Sequence, residues 1–448
     1  MQQSSVIGDS VCVVGAGLSG ITAAIQLQKK GYRVKIIERE AQIGGKCVTQ
    51  QIQYAGQTYN IDLGAVVVAI NFQHLLGFAR EINARITRPT PYKLIWPDDE
   101  IQSLRDFYFP KGTRKKLLNQ FFSYFSHVRH FYRHHITKTG YSKAIPVHYQ
   151  VSFAQFCREH DLEDLLHWFD LPITVWGYKN PQVLPAWYVM GELDPWALFG
   201  LLMTILSGRS QFVKTFKDGH GTLLEKLATH HQLDIELNKK VEFIARNSAG
   251  ILIESEDGQE FFDYVVLSNP EMVDSISNPS IFEFEFLDQI QYAPYATVLC
   301  RTKDIPNAKL IVGSNLKWQR GIRMIATPHK DIPYVVCYLS IDQTTTKESV
   351  EATVKRELKL LGIECIQVVE SQMWKNYFPH FSSFSGYESL VHAQGQNRTL
   401  YIGSINQFEY SEISVATTKN LIDQHFPDLK EQTKESFGRL KSLWYWFG

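Results

Sequence analysis

Three glycines near the N-terminus have the spacing of a phosphate-binding turn. Gly15, Gly17 and Gly20 form the pattern GxGxxG. Glycines at these positions allow a tight turn and a close approach of the backbone to a diphosphate, while the N-terminus of a following helix supplies N–H groups and partial positive charge. Glu38 follows Gly20 by 18 residues, and its carboxylate can accept hydrogen bonds from ribose hydroxyls. These residues indicate the recognition of a dinucleotide.

The flanking residues predict the strand–turn–helix–strand unit that this motif requires. Residues 11–14 and 34–37 are short β-rich apolar runs, and residues 21–30 have the apolar spacing of a helix. Gly31 is placed to end that helix. The motif therefore has the setting of a dinucleotide-binding unit, and the alternative is a glycine turn that serves packing alone.

A second group of small residues follows the second predicted strand. Gly44, Gly45 and Lys46 can bring backbone amides and an ammonium group near a diphosphate. Gly64 and Ala65, which follow a predicted hairpin, allow a planar ring to approach the backbone. The alternative is two glycine turns in a loop region.

These segments together resemble the FAD domain of the glutathione-reductase-like flavoproteins, in the branch that holds the amine oxidases and phytoene desaturases. The resemblance implies an α/β protein with a Rossmann-like FAD-binding domain, a mixed α+β substrate domain and a helical insertion. No cysteine follows Cys365, so the covalent cysteinyl link of some amine oxidases is not expected there, and FAD is expected to bind non-covalently. No metal is expected. The cofactor-binding residues that the resemblance implies are Gly15, Ala16, Gly17, Leu18, Ser19, Gly20, Glu38, Arg39, Gly45, Lys46, Cys47, Gly64, Ala65, Val241, Gly403, Ser404, Glu412 and Ile413.

The same resemblance implies a discontinuous domain order. The FAD-binding domain is expected to comprise residues 1–65, 215–271 and 396–430, with a mostly helical substrate or lid region at 66–214, a β-rich substrate domain at 272–395 and an aromatic tail at 431–448. Thr222 is a candidate N-cap for a helix in the second FAD segment. A last helix is expected over residues 414–426. Ser404 stands where the family usually has an acidic residue that binds ribityl hydroxyls.

Two aromatic blocks indicate a more specific resemblance, to one family within this branch. Residues 175–188 and the WxxYFPH block at 374–380, together with residues 403–413, are similar to the bacterial flavin-dependent polyunsaturated fatty acid double-bond isomerases. That family passes a hydride from an allylic carbon to flavin N5 and returns it to another carbon. The resemblance therefore implies that the flavin itself is the reacting group, and no catalytic side chain is assigned. Trp176 is the candidate neighbour of the flavin ring, where its π face could stabilise developing positive charge. The candidate substrate residues are Lys93, Trp176, Tyr178, Trp374 and Phe378, with Lys93 in place of the family's arginine; the alternative for each aromatic is a core position.

Two other functions stay open at this point. One is an amine oxidase or desaturase that is reoxidised by oxygen or a quinone. The other is a flavin- or lipid-binding protein without turnover, which Ser404 and the missing arginine make conceivable.

The composition indicates an ordinary globular chain, and the resemblance implies a small-molecule, lipid-like substrate. Of the 448 residues, 46 are Lys or Arg and 46 are Asp or Glu, so a global charge that would attract nucleic acid is missing. The six cysteines form no CxxC pair, and the N-terminus lacks the pattern of a signal peptide, so we expect a cytoplasmic location. The aromatic tail at 431–448 is a candidate for peripheral membrane contact.

Overall fold

A computed structural model describes residues 9–69, 71–87, 94–95, 101–102, 105, 108–192, 194–207, 213–304, 310–312 and 321–430. The strands in chain order are β1 (Ser10–Val14), β2 (Arg33–Ile37), β3 (Thr49–Tyr54), β4 (Gln57–Asp62), β5 (Val68–Ala69), β6 (Ile86–Thr87), β7 (Leu94–Ile95), β8 (Ile101–Gln102), β9 (Ile136–Thr137), β10 (Gly140–Tyr141), β11 (Val213–Phe216), β12 (Asp234–Glu236), β13 (Val241–Arg246), β14 (Ile251–Ser255), β15 (Gly258–Phe262), β16 (Tyr264–Leu267), β17 (Ile290–Thr302), β18 (Leu310–Val312), β19 (Gly321–Ala326), β20 (Tyr334–Ser340), β21 (Cys365–Phe381) and β22 (Thr399–Tyr401).

The α-helices in chain order are α1 (Leu18–Lys30), α2 (His74–Glu81), α3 (Arg114–His135), α4 (Val147–Gln150), α5 (Phe153–Glu159), α6 (Leu166–Phe169), α7 (Ala186–Glu192), α8 (Pro195–Ser207), α9 (His220–His230), α10 (Ile281–Gln289), α11 (Lys347–Leu360), α12 (Phe384–Ala393) and α13 (Ser411–His425). The predicted aromatic tail lies outside the described residues. Within the described residues, no one helix has the length and apolarity to cross a bilayer; α7 and α8 reach that hydropathy only together, across a bend of 72°.

A parallel sheet joins three distant parts of the chain. Its strand order is β12-β2-β1-β16-β22, and every neighbouring pair is parallel. Parallel strands in such a sheet are covered on both faces, so their residues are apolar on both sides. Strand β1 fits this rule, because its three valines and one cysteine are all buried. The carboxyl ends of its strands lie at one edge, where open α/β sheets bind ligands. The predicted α/β class with a Rossmann-like unit is confirmed, whereas the domain boundaries stay a prediction.

Helix α1 follows β1 after a turn of three residues, 15–17. Gly17 is its N-cap, and Gly31 ends it in the left-handed conformation (φ 98°), with its N–H donating to the carbonyl of Gln28. Residues 20–25 and Leu27 are buried against the sheet. The predicted helix and its stop are therefore confirmed.

A second, antiparallel sheet has the order β18-β19-β20-β17-β21, and among the described strands β21 pairs with β17 alone. Alternation along β17 sends Tyr295 and Leu299 into the core shared with the helical region, and Ala296 and Val298 into a separate core under helix α11. The sheet is thus covered on both faces, and its long edge strand β21 borders the cavity described below.

The expected N-cap Thr222 is wrong. Gly219 is the N-cap, so helix α9 begins at His220, three residues earlier than an N-cap at Thr222 implies. The Asp62 carboxylate at the end of β4 accepts the N–H of His220 at 2.8 Å, so the cap comes from a distant strand. The last helix, α13, also begins earlier than predicted, at Ser411 rather than 414.

Candidate active site

A cavity of about 2130 Å³ extends from the glycine turns to the edge strand β21 and the helical region. Small-molecule sites usually have roughly 300–1,000 Å³. The cavity is therefore large enough to hold a dinucleotide and a second ligand together.

The fold requires glycine at two positions of the first glycine turn but not at the third. A Cβ on Gly20 would lie 1.9 Å from the carbonyl oxygen of Gly15, and a Cβ on Gly15, at φ +101°, would lie 2.2 Å from Ser268 Oγ. A Cβ on Gly17 would meet nothing closer than 3.8 Å. The protein itself therefore leaves the side of Gly17 open, and this side lines the cavity.

Glu38 fixes the turn from the end of β2. Its Oε2 accepts the N–H of Ala16 at 2.6 Å, and its Oε1 accepts the N–H of Glu40 at 2.9 Å. A carboxylate has about four acceptor positions, so two of them stay available to hydroxyls. Glu38 lines the cavity and is 8% exposed.

The second glycine turn packs directly on the first. The N–H of Gly44 donates to the carbonyl of Ala16 at 3.0 Å, and Gly45 adopts φ +60° close to Gly17. A Cβ on Gly64 would lie 1.8 Å from the carbonyl oxygen of Lys46, so the fold itself requires this glycine. We call residues 15–20 and 44–47, with Glu38, the dinucleotide cradle.

Lys46 connects the cradle to the far wall of the cavity. Its Nζ donates to Glu409 Oε2 at 2.6 Å and to the carbonyl of Tyr377 at 2.5 Å. The side chains of Lys46 and Glu409 are 30% and 16% exposed. The charge of Lys46 is therefore largely balanced within the protein.

Four aromatic side chains form the far wall, which we call the aromatic chamber: Trp176, Tyr178, Trp374 and Tyr377. The rings of Tyr178 and Tyr377 are stacked at 6.2 Å, and Trp374 lies 5.8 Å from Tyr377. The hydroxyl of Tyr178 donates to the carbonyl of Glu409 at 2.6 Å. Burial raises the pKa of Tyr178 and of Tyr377 well above the usual value, so both phenols stay neutral.

The start of helix α13 closes the remaining side. Tyr410, Ser411 and Ser414 line the cavity, together with Gly403 and Ser404 after strand β22. The N-terminal end of a helix carries partial positive charge, which stabilises negative charge in a ligand placed there.

Most of the predicted site residues border this one cavity. They are Gly15, Gly17, Leu18, Ser19, Glu38, Arg39, Gly45, Lys46, Cys47, Gly64, Ala65, Trp176, Tyr178, Val241, Trp374, Gly403 and Ser404. Their individual contacts to a ligand stay predictions. Lys93 lies outside the described residues.

Five predicted residues do not line the cavity. Ala16 is fully buried and Gly20 packs on Gly15. Phe378 is fully buried in the hydrophobic core, where its ring packs 5.1 Å from that of Phe408 instead of forming a wall. Glu412 caps helix α2: its carboxylate accepts the N–H groups of Gln73, His74 and Leu75 at 2.7–2.8 Å. Ile413 packs against the hydrophobic core.

Among the cavity residues that sequence reasoning missed are four with polar side chains: Glu192, Tyr377, Glu409 and Tyr410. Tyr377 lies within the WxxYFPH block, and Glu409 and Tyr410 lie within residues 403–413, so these segments contained the signal. Glu192 ends the apolar run of helix α7, and an acid at the end of such a run was the signal there.

One group of side chains that could coordinate a metal ion lies outside the cavity. Among the described residues, Glu81, His230 and His231 have ligand atoms within 4.8 Å of one another. His231 Nε2 lies 3.1 Å from Glu81 Oε1, and burial lowers the pKa of His231, so a polar contact between the imidazole and the carboxylate accounts for this arrangement.

The residues of the cradle fit FAD. The open side of Gly17, the free acceptor positions of Glu38 and the N-terminal turn of α1 suit a ribose and a diphosphate. The start of α13 suits the part of a flavin ring that becomes negative on reduction.

Comparisons with known proteins agree with this geometry. A family model described as "Flavin containing amine oxidoreductase" matches residues 18–398. Among solved structures, the CLA-producing fatty acid isomerase from P. acnes is 21% identical and has a TM-score of 0.82, covering 94% of this chain and 100% of that chain. Putrescine oxidase bound to putrescine is 16% identical, with a TM-score of 0.70 and 93% and 98% coverage.

A curated relative matches a shorter part of the chain. An L-amino-acid oxidase of Siganus canaliculatus is 33% identical over 106 residues, which is 24% of this chain and 18% of that protein. This chain therefore spans less than a fifth of that relative's length.

Proposed function

The chain belongs to the family of flavin containing amine oxidoreductases, and from this premise we propose that it transfers hydride to and from an unsaturated fatty acid or similar lipid, as a double-bond isomerase does. It is an FAD-dependent enzyme, and FAD, when bound, supplies a hydride acceptor and donor at N5 of its ring. The observation that carries the proposal is the aromatic chamber, which shares one cavity with the dinucleotide cradle.

The wall contributed by helix α8 supports an apolar substrate. Ala197, Leu201 and Ile205 line the cavity from this helix, whose sequence contains no charged residue. A substrate that is a long hydrocarbon chain gains free energy from leaving water at such a wall.

The chemical inertness of the cavity supports a reaction that passes through developing positive charge. Cys47 lines the cavity, and burial raises the pKa of its thiol to about 12, so the nucleophilic thiolate is not formed near neutral pH. The phenols of Tyr178 and Tyr377 are neutral as well. Trp176 offers a π face that stabilises nearby positive charge.

The fold similarity supports the same choice. The solved fatty acid isomerase matches 94% of this chain and its own full length. This similarity supplies the fold, and the chamber residues supply the reason for preferring a lipid.

A second candidate is the oxidation of an amine. Acidic side chains of Glu192 and Asp194 line the cavity together with aromatic rings, and these are groups that an ammonium ion contacts. The solved putrescine oxidase has the same fold.

The test is anaerobic incubation of the FAD-loaded protein with linoleic acid, with stearic acid as the saturated control. We expect linoleic acid to return at constant mass with shifted double bonds, because the hydride is given back to the same chain. The proposal would be overturned if linoleic acid came back unchanged. The second candidate would be established if, in addition, a primary amine bleached the flavin and released peroxide in air.

A further inference from the structure

Glu192 is a buried acid at the cavity surface that has no hydrogen-bond partner among the described residues. It is the last residue of helix α7, it is 6% exposed, and it lines the cavity. Its Oε2 is fully buried and unpaired. A buried polar atom without a partner costs roughly 1–3 kcal/mol, so such an atom on a cavity wall points to a ligand.

The groups that surround Glu192 do not support a negative charge there. Tyrosines approach it from helix α3, from the aromatic chamber and from the start of helix α13, and burial alone raises the pKa of its carboxyl well above the usual range. Two of the hydroxyls have other partners: Tyr132 donates to the carbonyl of Gly191 at 2.7 Å, and Tyr178 donates to that of Glu409. The hydroxyl of Tyr124 is also unpaired, but Tyr124 does not line the cavity.

Several charged side chains of the cavity already have partners within the protein. Asp194 accepts the N–H of Ala197 at 2.7 Å and adds negative charge near the same tyrosines. Lys46 is paired with Glu409, and Lys375 donates to the carbonyls of residues 342, 343 and 345. Glu192 therefore stays protonated and has one O–H donor to offer to a ligand.

We propose that Glu192 recognises the substrate by donating a hydrogen bond from its protonated carboxyl to the carboxyl group of a fatty acid. This inference rests on the proposed function. Two carboxyl groups that share a proton bind each other without a cation, which suits a chamber whose lysine is already paired. An ammonium ion would instead require Glu192 to be ionised.

The test measures binding with FAD-loaded protein by titration calorimetry. The probes are linoleic acid and oleylamine, and the variants are Glu192→Gln, Glu192→Ala and, as the matched control, Glu159→Gln. Glu159 is an exposed acid of helix α5 whose one side-chain hydrogen bond among the described residues is to Gln155, so the same chemical change is made outside the cavity. A thermal melt of each variant reports folding separately.

The glutamine variant separates the two ligand classes because its amide can donate but cannot be ionised. We expect Glu192→Gln to bind linoleic acid within about threefold of wild type and Glu192→Ala to bind it about tenfold more weakly, the loss of one hydrogen bond to a charged group. Linoleic acid should bind wild type more weakly as the pH rises and Glu192 loses its proton, and this dependence should be smaller in Glu192→Gln.

The outcomes distinguish this inference from the proposed function. If Glu192→Ala and wild type bind linoleic acid equally, Glu192 is not the recognition group, while the lipid substrate stands. If wild type binds oleylamine but not linoleic acid, and Glu192→Gln loses oleylamine, both the inference and the proposed function are wrong.

Discussion

The dinucleotide cradle and the aromatic chamber border the same cavity but are built in different ways. The cradle comes from one continuous stretch of chain, and its shape depends on backbone contacts such as that between Gly20 and Gly15. The chamber joins Trp176 and Tyr178 of the helical region to Trp374 and Tyr377 of strand β21, and its shape depends on side-chain packing. The fold therefore requires Gly15 and Gly20 in the first part and leaves the side of Gly17 open, whereas the second part can change its ligand without changing the fold.

The largest effect is expected from Gly20→Val in the cradle. The added Cβ would overlap the carbonyl oxygen of Gly15, which is backbone and cannot move aside. We expect a loss of more than about 3 kcal/mol in the free energy of unfolding and no flavin in the purified protein. Circular dichroism and the flavin absorbance band measure both, with Gly77→Ala in helix α2, whose Cβ meets only the end of Arg80 at 4.0 Å, as the control. A stable, yellow Gly20→Val protein would contradict the account of the turn.

Phe378→Ala should have the next largest effect, and on stability alone. Phe378 is fully buried and does not line the active-site cavity. Its removal leaves an empty space in the core, which lowers the free energy of unfolding by about 3–5 kcal/mol. Trp374→Ala in the same strand should cost less stability but change the affinity for linoleic acid, because Trp374 lines the chamber. Denaturant unfolding and ligand titration on both variants test this, and the reverse pattern would show that the sides of strand β21 are assigned wrongly.

Lys46→Met breaks the connection between the two regions. The Lys46–Glu409 pair is partly buried, so we expect a cost between the ~1 kcal/mol of an exposed pair and the ~3 kcal/mol of a buried one. A double-mutant cycle with Glu409→Gln measures the coupling from urea unfolding. Strictly additive effects of the two substitutions would mean that the pair does not join the regions.

Gly17→Ala should have the smallest effect on the fold and still weaken cofactor binding. Its Cβ meets no protein atom closer than 3.8 Å, so the apoprotein should keep its free energy of unfolding within about 0.5 kcal/mol. The methyl group would occupy the open side of the turn, so FAD affinity should fall about tenfold or more. FAD titration of apoprotein, with thermal melts in parallel, checks this; unchanged FAD affinity would show that the diphosphate does not approach Gly17.

The sequence predicts the cradle well because its determinants are local. The order of strand, glycine turn, helix and strand lies within residues 10–38, and each part is stabilised by neighbours in sequence. The long-range parts were predicted less well for a physical reason. Asp62 caps helix α9 and Glu412 caps helix α2 from distant segments, so neither role follows from local spacing.

The chamber shows the same limit at the level of single side chains. The WxxYFPH block was recognised, but which of its residues face the cavity depends on the register and bulges of β21 against β17. Tyr377 rather than Phe378 therefore lines the wall. Glu192 was missed because the burial of one acid depends on elements from three parts of the chain.

The most direct test of the central claim is a label-transfer experiment with linoleic acid deuterated at its bis-allylic carbon. FAD-loaded protein is mixed with the labelled acid without oxygen, and the product is analysed by mass spectrometry and NMR. We predict a product of unchanged mass that carries deuterium on a different carbon. A product that has lost two hydrogens, or labelled acid recovered unchanged, would contradict the account.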